Sequence, residues 1–62
     1  MKVYHIEVLP KGFGSWNVTV EVEVDGNYVT YKSVVTDSEI IDGHREGDSQ
    51  ELINFVTSYS YE

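Results

Sequence analysis

From Trp16 to Asp25 the chain reads Trp-Asn-Val-Thr-Val-Glu-Val-Glu-Val-Asp, every second side chain apolar and every intervening one polar. Successive side chains of an extended strand point to opposite faces of a sheet, so a period of two specifies a strand with one buried and one wetted face. The row of valines this creates cannot be left in water, and a second layer has to cover it.

The flanking segments supply the rest of the sheet. Lys2–Leu9 alternates less cleanly, with Tyr4, Ile6 and Val8 on one side and Val3, His5, Glu7 and Leu9 on the other, and reads as a first strand. Pro10–Ser15 holds a proline and two glycines and reads as a loop. Asp25-Gly26 is a hairpin signal, because both residues tolerate the positive φ that a type I′ turn requires. A third strand is expected over about Tyr28 to Thr36, with Val29, Tyr31 and Val35 facing the same way as Val18, Val20 and Val22. Two registers stay open. Turn chemistry favours Asp25-Gly26 as the two-residue loop, whereas a Gly26-Asn27 loop would set Glu21 opposite Lys32, a cross-strand pair worth about 0.2–1 kcal/mol.

Beyond Thr36 the period changes. Asp37–Gly43 reads as one helical turn closed by Gly43, and His44–Gly47 as a polar connector. Asp48-Ser49-Gln50-Glu51 resembles a helix start, with Asp48 or Ser49 at the N-cap and acid in the first turn. Leu52, Phe55, Val56 and Tyr59 then recur at helical spacing, while the β-forming residues of Phe55–Tyr61 keep a fourth strand open as the alternative. The expected fold class is α+β: a small antiparallel three-stranded meander (β-β-β) with one C-terminal helix packed on the apolar face, forming a single small domain over residues 1–62. Its expected core is Tyr4, Ile6, Val8, Trp16, Val18, Val20, Val22, Val29, Tyr31, Val35, Leu52, Phe55 and Val56.

A chain of 62 residues buries only about 60% of the surface its unfolded form exposes, and many domains of this size add a staple. The absence of cysteine removes disulfides and thiolate zinc sites together and turns attention to a homodimer or a partner complex. No apolar run approaches the roughly 18 residues needed to span a bilayer, and the first residues enter an alternating pattern without a signal-peptide core. A complete, soluble, cytoplasmic protein is expected.

The net charge of −7 is unevenly placed. Residues 1–32 set three lysines against four acids, net −1, whereas residues 33–62 set Arg45 alone against seven acids, net −6. Such a field repels nucleic-acid phosphates and anionic membranes and attracts a basic protein surface, so neither direct nucleic-acid binding nor membrane binding is expected.

The segment Asp37–Glu51 carries six carboxylates and one arginine in fifteen residues. It reads either as a solvated connector that maintains solubility or as a docking surface for a basic protein, formed by Asp37, Glu39, Asp42 and Glu46. A sharper version of the second reading is an inhibitor that imitates nucleic acid and occupies the site of a DNA- or RNA-binding protein. Tyr28 on the polar face and Tyr61 near the end are candidate interface aromatics. Asp42–Gly47 begins like a calcium loop, but His44 and Ile53 stand where the third and twelfth ligands belong, so no metal site is expected. His5 reads as a surface or edge histidine and His44 as a loop histidine. No nucleophile elbow or phosphate loop is present, and neither catalysis nor a cofactor is expected. The function expected is a small acidic non-catalytic binding module that regulates or inhibits a basic partner; the alternative is an assembly subunit that associates through a sheet edge.

Overall fold

The structure, a computed structural model, describes residues 1–61 and has the order β1 (Lys2–Gly12), β2 (Ser15–Val24), β3 (Asn27–Val35), α1 (Ser38–Arg45) and α2 (Gln50–Ser58). The three strands form one open antiparallel sheet with β2 in the centre. The fold is α+β as expected, but two helices follow the sheet where one was expected.

The β2–β3 hairpin uses Asp25-Gly26, both at positive φ (51° and 81°), with Val24 opposite Asn27. Glu21 therefore faces Thr30, and Lys32 faces Thr19. Turn propensity prevails over the charge pair, since Asp-Gly is among the preferred type I′ loops and the pair it forgoes is worth only about 0.2–1 kcal/mol. The first hairpin is tighter than expected. β1 runs on through Pro10 to Gly12, leaving only Phe13-Gly14 as the turn, and the proline is accommodated because β1 is an edge strand.

β1 carries a register shift between Val3 and His5: Val3 pairs with Val22 and His5 with Glu21, so Tyr4 is the extra residue of a bulge. The bulge reverses the facing of everything before it. Val3, Ile6 and Val8 point inward, half-buried against the core, and Tyr4, expected in the core, lies on the exposed face.

Val18, Val20 and Val22 of β2, Val35 of β3, Ile41 of α1, and Leu52 and Val56 of α2 are fully buried and form one cluster. Each such aliphatic side chain contributes about 1.5–3 kcal/mol on removal from water. Trp16, Val29, Tyr31 and Phe55 pack half-buried around it, and α2 lies against β3, β2 and α1.

The helix α1 is longer than the single turn expected over Asp37–Gly43. It passes through Gly43 and ends at Gly47, whose φ of 102° permits a paired closure: Asp48 N–H donates to Gly43 O (2.9 Å) and Gly47 N–H to His44 O (3.1 Å). The helix α2 fills the stretch left open between helix and strand. Its last residues return to the sheet, where Ser33 Oγ donates to Tyr59 O (3.1 Å), Lys32 N–H to Ser60 Oγ (3.1 Å) and Tyr61 N–H to Lys32 O (2.9 Å). The tail thus meets the outer edge of β3 at Lys32 and Ser33.

Candidate functional site

The acidic segment is built on a helix rather than a connector. Asp37 is the N-cap of α1, its Oδ1 accepting from Glu39 N–H at 3.0 Å. Glu39, Asp42 and Glu46 follow at i, i+3 and i+7, which at 3.6 residues per turn aligns them along one stripe. Ile41, on the opposite side, is fully buried, and all four carboxylate residues are exposed. The one ion pair found among the described residues, Arg45 Nη1 to Asp42 Oδ1, spans 4.0 Å between exposed side chains and neutralises little.

Capping duties are divided differently from the expected arrangement. Asp37, expected in the docking set, caps α1. Asp48 Oδ1 does accept from Gln50 N–H, at 3.3 Å, but Ser49, the N-cap of α2, makes no side-chain bond to that helix. Its Oγ lies 2.6 Å from His44 Nδ1 instead. His44 is accordingly a half-buried residue in the last turn of α1, not a loop histidine, and its contact with Ser49 ties the two helices together. The calcium-like segment is likewise not a loop, since Asp42–Arg45 is helical. Among the described residues no three His, Asp or Glu side chains converge as metal ligands would.

The two candidate aromatics lie away from the α1 stripe. Tyr28 pairs with Glu23 on the outward face of the sheet, opposite to the face that carries the helices. There its ring meets Tyr4 at a centroid distance of 5.3 Å and a tilt of 50°, and Lys2 Nζ stands 5.1 Å from the Tyr4 ring centre. Hydrogen bonding to Tyr28, followed by desolvation, raises the Tyr4 phenol above its ordinary pKa. Tyr61 sits on the tail beside Lys32 with its side chain exposed.

Two features escaped the sequence. The bulge that turns Tyr4 outward has no composition signal. Phe13 is fully exposed at the tip of the first hairpin, and its position between two glycines was the available hint.

No helix among the described residues is long and apolar enough to cross a membrane. Comparison with protein-family models, curated proteins and solved structures yields no match, so the functional reading rests on the geometry of this chain alone.

Proposed function

We propose that the protein is a non-catalytic binding module whose α1 stripe docks on a basic protein surface and thereby regulates or inhibits that partner. One observation supports this reading: past its first turn, the stripe works against the helix that carries it. At eight residues α1 is too short to be stable alone. Glu39–Asp42 at i,i+3 and Asp42–Glu46 at i,i+4 are like-charge neighbours, each destabilising by about 0.2–0.5 kcal/mol. Glu46 occupies the C-cap, where the helix dipole disfavours an anion by a further 0.3–1 kcal/mol or so. Asp37 serves the helix as its N-cap and Glu39 suits the dipole of its first turn, but the carboxylates of Asp42 and Glu46 bring folding no such gain, whereas a partner rich in lysine and arginine would gain both steering and affinity from all four.

The test is a capture experiment with the intact chain, followed by kinetics on whatever basic protein is retained. Replacing Asp37, Glu39, Asp42 and Glu46 together by their amides preserves the fold, since asparagine caps a helix as well as aspartate does. The expected result is an on-rate about tenfold slower and a flatter salt dependence. An unchanged on-rate and salt slope would reject the α1 stripe as the docking surface.

A further inference from the structure

The two edges of the sheet are finished differently. Along β3 the C-terminal tail bonds to Lys32 on both its N–H and its carbonyl. Among the described residues β1 pairs with β2 alone, so the other side of an eleven-residue strand presents its backbone groups outward. Beneath that edge Val3, Ile6 and Val8 remain only half-buried, because α2 is seated over β2 and β3. The core therefore has an unfinished side.

We propose that this edge is closed by a second copy of the chain, β1 pairing antiparallel with its counterpart about a two-fold axis at Ile6. The sequence of β1 is complementary to itself in that register. Ile6 meets the partner's Ile6 on the inward face, and Glu7 meets the partner's His5 on the outward face, twice by symmetry. The Tyr4 bulge absorbs one residue on each strand, which brings Val8 opposite the partner's Val3 and keeps the whole inward row apolar. An axis at Glu7 would instead oppose two carboxylates, and like charges directly across a ladder are unfavourable; an axis at Val8 would set Ile6 opposite the partner's Pro10, which has no N–H to give to a ladder. A two-fold pairing uses each β1 edge once and so closes at two subunits, while the tail occupies the β3 edge at Lys32.

Sedimentation of the full chain over a concentration series should show the mass rising from 7.1 kDa towards twice that value. The chain contains no cysteine, so a single introduced one reports its own neighbour. Ile6→Cys should oxidise rapidly to a covalent dimer, whereas Glu7→Cys and Val8→Cys should do so slowly. His5→Glu, at an exposed position, sets a carboxylate opposite the partner's Glu7 twice and should weaken association about tenfold. Adding Glu7→Lys to it should restore association by placing opposite charges across the axis. A monomer at every concentration would overturn the proposal, as would cross-linking that is faster at residue 7 or 8 than at residue 6. If Ile6→Cys fails to fold, the His5→Glu loss and its rescue still decide the matter.

Discussion

Gly43 shows how one residue can be read for the wrong reason. A glycine after an apolar pair suggests a helix stop, yet Gly43 lies inside α1 with ordinary helical φ, and the left-handed position belongs to Gly47. A Cβ at residue 43 would find its nearest neighbour, Asp48 O, at 3.5 Å, an ordinary contact. Nothing in the folded state requires the missing side chain, while its absence adds freedom to the unfolded chain. Gly43→Ala should therefore stabilise the protein by about 0.5–1 kcal/mol, read as a higher midpoint in urea at unchanged slope. Gly47→Ala should do the opposite, because its φ of 102° strains any side chain.

At the scale of elements, what could be read in advance was whatever local pattern controls. The alternation of β2 and the helical spacing of Leu52, Phe55 and Val56 follow from the period of side-chain direction, although Tyr59, expected in the same stripe, is the exposed C-cap of α2; the hairpin loop, open between two registers in the sequence, is settled by the turn itself. What could not be read depends on partners remote in sequence. The facing of β1 is set by a bulge against β2, the extent of α1 by a closure at Gly47 and by the burial of Ile41, and the His44–Ser49 contact by the packing of two helices. The acid-rich stretch was legible as charge but not as a stripe, because its helix was read as one turn. The tail is a similar case, since Ser33 is buried and its hydroxyl is committed to Tyr59 O. Ser33→Ala should cost about 0.5–1.5 kcal/mol. Hydrogen exchange should locate the damage: the Lys32 and Tyr61 amides should exchange faster while Val20 stays protected.

For the whole molecule the relevant comparison is between its size and the range of its charges. The radius of gyration is 11.2 Å, close to the Debye length of about 10 Å at 0.1 M salt. At low salt most of the net charge of −7 is therefore felt across the whole protein, whereas near 1 M salt the range falls to about 3 Å and only neighbours interact. Self-repulsion of this kind opposes the compact state more than the expanded unfolded chain. Unfolding free energy at fixed protein concentration should accordingly rise with sodium chloride. The four-amide variant lowers the net charge from −7 to −3 and should show a shallower rise. Two copies of a chain with net charge −7 repel each other, so pairing through β1 should also strengthen with salt, whereas docking of the α1 stripe on a basic surface should weaken. Parallel titrations of thermal midpoint, dimer mass and partner binding then separate the surfaces by the sign of their response. A folding stability that falls with salt would mean that attractive pairs outweigh the repulsion, and would remove the argument that the α1 carboxylates are a cost the fold does not need.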